Sequence, residues 1–284
     1  MFHGIRIGSL GLPGYGGGGA PTPEADVIRV RRTSDSTEAD YTLTEIDDGT
    51  LDTFVGVGDG CVATWYDQSG NDNHVTQATT TLQPKVAIAG TVQEGVVFDG
   101  TDDYFPLTVA DLTLAGQTAA SVAMFFRVTT LVATQTLFAE ATSGDGYSRL
   151  SVSVNTSGKI LFTTRDAAAD PTGSSNTTTS NGTISIDTWY HVVVVYANNS
   201  KKIYINGVLD IAATPTTGTF GSSTSYGIRI GRFPTSGPSS PLSGRLSDIR
   251  LYRGTALSDA QVASVAAGGE VGSPLLWLKG NYSP

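Results

Sequence analysis

The chain holds a single cysteine, Cys61. One thiol closes no disulfide within a chain and builds no thiolate metal site. Charge is also scarce, with Asp, Glu, Lys and Arg making up 15% of the 284 residues. Long water-facing helices draw on Lys and Glu for their exposed sides, and no segment has that character. Basic residues are the scarcer sign: 17 Lys and Arg stand against 26 Asp and Glu, for a net charge of −9. The densest basic group, Arg29, Arg31 and Arg32, alternates with Val30 as an ordinary strand face does. Phosphate backbones need a basic stripe, so direct nucleic-acid binding is not expected. No apolar run approaches the roughly 18 residues that span a bilayer. The start, "MFHGIRIGSLGLPG", lacks the apolar core of a signal peptide, so the expected setting is a cytoplasm or an assembly made there. His3, His74 and His191 are the only histidines and form no His-x-x-x-His pair, which argues against a zinc site. "GVGDG" and "GYGGGG" are Gly-rich, but no Gly-Lys-Ser/Thr follows to make a phosphate loop.

What the chain does have is Gly, Ser, Thr and Val, with 34 glycines. Strand-like runs recur between Gly, Asn, Asp and Ser turns: "DVIRVRR", "CVATWYD", "EGVVFDG", "AASVAMFFRV", "QTLFAEA", "SRLSVSVN", "KILFTTR", "WYHVVVVYA", "KKIYINGVL", "YGIRIGRF", "GRLSDIRLYR" and "PLLWLKG". Their number predicts two antiparallel sheets packed face to face. "HVVVVY" is apolar on both faces and belongs in a sheet centre. Asn206-Gly207 marks a hairpin turn. One short helix is expected in "LSDAQVASVAA", with Ser258 as N-cap, Leu257, Val262 and Val265 on one side, and Gly268 and Gly269 ending it. The polar stretch 170–183 reads as a surface loop. Residues 1–26, with the Gly16–Gly19 run followed by Pro21 and Pro23, read as an arm that has no core of its own and orders against a partner. Residues 27–284 read as one β domain.

"GVVFDGTDDYF" (95–105), "DTWYHVVVVY" (187–196), "KKIYINGVLD" (201–210) and "LSGRLSDIRLYRGTALSDAQVASV" (242–265) occur in this order. Together they resemble laminin-G-like, concanavalin-A-like jelly-roll domains. The resemblance covers about residues 60–278. With the upstream "IRVRRTSDSTEADYT" and "WYDQSGNDNHVTQAT", the chain resembles laminin-G-like proteins of tailed bacteriophages. The second of these pieces also resembles the sandwich domain of B-type arabinofuranosidases. The first likeness implies a virion protein of structural or adhesive type, a capsid decoration or a tail or fibre component. Its arm would hold other virion proteins, its sandwich would face a host-surface glycan, and copies would form a small ring such as a trimer. The second implies a glycoside hydrolase or a stand-alone carbohydrate-binding module.

Hydrolysis of a glycoside needs two carboxyl groups across a cleft. Glu140, ending the apolar run "LFAEA", is the nucleophile candidate, with a strand-end surface carboxylate as the favoured reading. Calcium would want several oxygens. Asp67 and Asn71 in "DQSGNDN", and Asp102 and Asp103 in "FDGTDDY", are the candidate ligands. Asp, Asn and Gly are also ordinary turn residues, so "DQSGNDN" is read first as a turn that pins the start of the sandwich. Asp102 or Asp103 could equally cap backbone amides. A sugar site needs exposed aromatic faces. Phe233, set among Pro and Gly, leads the ligand-binding candidates, followed by Tyr104 and Tyr147. Trp189 and Tyr226 come next. His191, in a central strand, is expected to be hydrogen-bonded.

Overall fold

The computed structural model describes residues 24–107, 112–141, 148–165, 175–198, 200–214, 218–222, 227–235 and 239–282. Eighteen strands follow in order: β1 Ile28–Arg32, β2 Glu38–Tyr41, β3 Gly60–Trp65, β4 Val75–Thr76, β5 Lys85–Ile88, β6 Thr91–Asp99, β7 Phe105–Leu107, β8 Ala119–Val128 and β9 Gln135–Ala141. Then come β10 Ser148–Val154, β11 Ile160–Thr164, β12 Asn176–Thr179, β13 Tyr190–Ala197, β14 Ser200–Ile205, β15 Val208–Ala213, β16 Gly227–Ile230, β17 Ser243–Arg253 and β18 Leu276–Leu278. Among the described residues three α-helices join them, α1 Leu43–Asp47, α2 Thr50–Val55 and α3 Asp259–Ala266, with a short 3-10 turn at Thr80–Leu82. None is long and apolar enough to cross a membrane.

The strands form two antiparallel sheets. The larger runs β15-β14-β13-β8-β17-β6-β5-β3-β1-β2, with β18 added on β17 and β4 on β3; the smaller runs β12-β11-β10-β9-β16-β7. This is the expected two-sheet sandwich. Val122, Met124 and Phe126 of β8 and Val192 and Val194 of β13 point into the main core, with Phe138, Val152 and Phe162 of the smaller sheet. The alternate residues Ala123, Val193 and Val195 face the other way and lie under Leu257, Val262 and Val265 of the α3 segment. Burial on both faces is why β13 is apolar throughout. Ser258 caps α3 with a full capping box to Gln261, and Gly268 follows the helix end at φ +80°. Asn206 and Gly207, at φ +51° and +78°, make the β14–β15 turn.

Two expectations need correction. The described residues hold more than one short helix. Thr42 and Glu45 form a capping box that starts α1, and Ile46, Leu51 and Val55 bury the α1–α2 pair against the core. The stretch 170–183 is not all loop, because residues 176–179 are β12, paired to β11 and forming the edge of the smaller sheet. Lys201 of β14 reaches across to that edge: its fully buried ammonium donates to Phe162 O, Asn176 O and Asn176 Oδ1 at 2.7, 2.8 and 3.2 Å. The proposed anchoring arm falls almost wholly on residues 1–23, outside the described residues.

Candidate functional site

"WYDQSGNDNH" resolves into a knot between the two ends of the domain. Trp65 is fully buried and its indole N–H donates to Lys279 O at 2.5 Å. The Asp67 carboxylate accepts from Ser69 N, Ser69 Oγ, Asn73 N and Trp277 N, all at 2.7–3.0 Å. Asn71 donates to Ser69 Oγ and Pro274 O. Both oxygens of Asp67 are therefore spent on the turn. Asp67 and Asn71 thus hold the turn together, which is the first of the two roles that the sequence suggests for them.

The second acidic group does converge. One carboxylate oxygen from each of Asp99, Asp102 and Asp103 lies within 4.8 Å of the others, so these three could hold a cation. They also serve the loop: Asp99 Oδ1 accepts from Thr101 N and Asp102 N, and Asp103 Oδ2 accepts from Asp99 N. Burial, then repulsion by Asp99 and Asp102, pushes Asp103 up to about 7.

Tyr104 follows directly and is half-buried beside β7. The Arg229 guanidinium of β16 sits 4.5 Å from its ring centre and that of Arg232 sits 5.3 Å away. The stacking surface expected of Tyr104 is thus shared with two cations. Arg229 also donates to Phe233 O and Thr235 O, at 3.4 and 3.3 Å, which brings half-buried Phe233 to the same rim. Arg232 is only 8% exposed, and its Nε has no hydrogen-bond partner. Buried donors normally find one. The sequence offered Tyr104 and Phe233 but gave no sign of the two arginines that join them. Tyr147 and Tyr226 lie outside the described residues.

Glu140 is not the strand-end surface carboxylate that the sequence favours. It is wholly buried, ion-paired to the equally buried Arg149, and it accepts from Thr113 Oγ1 at 2.6 Å and Leu114 N at 2.9 Å. β9 turns it into the sandwich interior, on the side of Phe138. His191 also departs from expectation. It is 2% exposed in central strand β13, but neither ring nitrogen has a hydrogen-bond partner.

Two packed antiparallel sheets with a short helix on the outer face define a jelly-roll sandwich. The chain belongs to the concanavalin A-like lectin/glucanases superfamily, whose laminin G-type profile matches residues 99–263. No curated protein matches it by sequence. Among solved structures it is similar to the Ruminococcus gnavus IT-sialidase CBM40 bound to α2,3-sialyllactose. That likeness has 16% identity, 61% of this chain, 97% of that one and a TM-score of 0.52. It is similar also to the K499G mutant of Streptococcus pneumoniae NanB sialidase, with 18% identity, 61% and 27% coverage and a TM-score of 0.50. A third likeness is to domain 4 of the Geobacillus stearothermophilus arabinanase AbnA in complex with arabinotriose, with 22% identity, 61% and 76% coverage and a TM-score of 0.45. At these identities the first two likenesses speak to the fold alone.

Proposed function

We propose that the protein is a glycan-binding sandwich without hydrolytic activity, displayed on a bacteriophage particle as a capsid decoration or a tail or fibre component. The observation that carries the binding reading is the Tyr104 rim, where two guanidinium groups lie over one aromatic ring and one of them keeps an unmet buried donor. Guanidinium forks suit hydroxyls and, above all, carboxylates, so an acidic sugar fits this rim best. The sialyllactose-bound module that shares the fold supports that choice. Burial of Glu140 supports binding over hydrolysis. Residues 1–26 anchor the protein to other virion proteins, and copies associate into a small ring such as a trimer. Here the Gly-rich composition of the arm supports ordering on a partner.

The binding test is a glycan array with the intact protein, Tyr104→Ala and Arg232→Ala. Acidic glycans retained by the intact protein and lost by both variants are expected; retention unchanged in both would remove the rim. Deleting residues 1–24 should leave a folded sandwich that fails to enter particles. Normal incorporation of that truncation would end the anchor idea.

A further inference from the structure

His191 stands in β13 on the outer face of the larger sheet, the face of Val193 and Val195, with Phe125 of β8 as its register partner. Its backbone is fully used: the N–H donates to Asn206 Oδ1 at 2.9 Å, and the carbonyl accepts from Asn206 N at 2.8 Å. Both ring nitrogens are shut off from water and have no hydrogen-bond partner. The ring borders a pocket of about 310 Å³ together with Phe125, Trp189, Asn206, Ala266 and Tyr282. Since neither nitrogen is open, it presents carbon to that space.

A proton taken up here would make a buried cation with no carboxylate to itself. On β17, Asp248 is already held by Arg250 at 3.1 and 2.7 Å and by the Trp277 indole, and Arg250 is itself a cation. β8 presents Phe125, the β14–β15 turn Asn206, and α3 Ala266. Beyond Trp189 lies Glu94, which accepts the indole N–H at 3.2 Å. Lys279 sits over the Trp277 ring and 3.7 Å from Glu270. Burial accordingly pushes the imidazole down to about 4, with Asp248 opposing the shift and Arg250 reinforcing it.

The cover over this corner is lightly fastened. Residues 279–282 form no strand. Tyr282 stacks on Trp189 at 4.1 Å and meets Phe125 edge-on at 5.5 Å, and Phe125 lies 4.5 Å from the His191 ring. Side chains do the tying. Ser247 Oγ donates to Tyr282 O at 3.1 Å and accepts from Tyr282 N at 3.3 Å. Asn281 accepts from Gly95 N at 2.7 Å and donates to Gln93 O at 2.8 Å. A short segment held this way opens locally at far lower cost than the sheet beneath it.

We propose that residues 279–282, with Trp189, form an acid-released latch, in which protonation of His191 lifts the segment from the larger sheet and bares the rings of Phe125, Trp189 and Tyr282. The sign follows from the two environments. In the open form the imidazole meets water and titrates near its ordinary 6.5, whereas in the closed form it stays neutral down to about 4. The closed form therefore keeps its full advantage above the ordinary imidazole value and loses it as the pH falls through the interval below. The ratio of open to closed rises roughly tenfold per pH unit across that interval. The latch is independent of the glycan reading of the Tyr104 rim.

The test is hydrogen exchange of the full chain, followed by NMR from about pH 7.5 to about 4.5, with His191→Phe measured alongside. Gly95 and Tyr282 report the latch, because their amides donate to Asn281 and Ser247. Val194, inside β13, reports the sheet. The ratio of parent to variant rates at equal pH cancels the intrinsic pH dependence of exchange. At Gly95 and Tyr282 it should climb roughly tenfold per unit on acidification, and at Val194 it should stay level. A second variant, Tyr282→Ala, removes the cover and leaves His191 in place. Its His191 ring signal should titrate near the ordinary 6.5, well above that of the parent. A ratio that does not change with pH overturns the latch. So does an equal acid response at Val194, which is unfolding of the whole sheet, and so does a His191 that titrates as low in Tyr282→Ala as in the parent.

Discussion

The carboxylate of Asp67 accepts the backbone N–H of Trp277 at 2.8 Å, a contact across 210 positions of sequence. It is flanked by a second tie in the reverse sense, Gln68 N to Trp277 O at 2.7 Å. Together with the isolated bridge from Asp67 to Leu278, these bonds fasten β18 to the loop that follows β3.

Replacing Asp67 with Ala strands four donors, two of them on the loop backbone, at a buried position. Hydrogen bonds to a charged group contribute more than neutral ones. The expected loss is roughly 2–4 kcal/mol, read from urea denaturation. A loss below about 1 kcal/mol would mean that the turn holds itself without this carboxylate.

Glu140→Gln separates a structural from a catalytic carboxylate. It leaves Arg149 buried beside a neutral amide, and breaking a buried pair costs roughly 3–5 kcal/mol. The variant should lose that much stability in a denaturant titration. A fully stable variant that loses turnover on chromogenic arabinofuranosides would instead restore the hydrolase reading.

Much of this architecture is written in local pattern, and the exceptions have physical causes. Every run read as a strand is one, because alternation or unbroken apolar character survives into the sheets. Among the strands without such a signal, those at the sheet edges are short or polar: β2 is "EADY", β7 is "FPL" and β12 is "NTTT". Their neighbours define them, by supplying a free edge. α1 and α2 are too short to show a helical period, although the capping pair Thr42 and Glu45 was visible in the chain. The sites were less legible. Tyr104 meets Arg229 only because β7 pairs with β16, with Pro106 opposite Arg229. The placement of His191 in a central strand follows from "HVVVVY", whereas its missing partners show only in the folded chain.

Asp103 gives the protein a pH dependence of definite sign. Its folded carboxyl titrates at about 7 and its unfolded one near the ordinary 3.8. Between those values the folded chain holds a proton that the unfolded chain has released, so stability rises as pH falls from 7 toward 4. The full contribution is at most about 4 kcal/mol. Asp40 and Asp59, held low by hydrogen bonds from Arg29 and Lys85, pull the opposite way only once the pH falls below the unfolded carboxylate value. His191, whose imidazole burial holds down at about 4, pulls the opposite way below its unfolded value of 6.5, so the test is a difference: melted between pH 5 and 7.5 (roughly the window of this group), the parent should gain on Asp103→Asn as the pH falls. Parallel curves would refute the assignment. Repeating the series with calcium reports on the three-carboxylate cluster, since a bound cation shifts the parent's rise to lower pH.

Asn206 joins a turn to a pocket wall. Its positive φ suits Asn, and its Oδ1 receives the His191 amide. Asn206→Ala should cost roughly 1–2 kcal/mol, from left-handed strain and a lost acceptor. Asn206→Gly should recover the strain component and not the hydrogen bond, and thermal melts of the two variants measure the difference.

The knot between Trp65, Asp67 and the segment from Leu275 to Lys279 sets an order of events during synthesis. On a ribosome the early strands emerge long before the residues that complete them. β17, which pairs with β6, β8 and β18, is itself made late. Contacts of such long sequence separation form slowly and leave strand edges open while they wait. The domain can therefore close only once the segment from Leu275 to Lys279 has emerged. A nonsense mutation a few codons upstream of Leu275 would leave Trp65 Nε1, Gln68 N and Asn73 Nδ2 without their acceptors on Lys279, Trp277 and Leu275, and the truncated chain prone to aggregate.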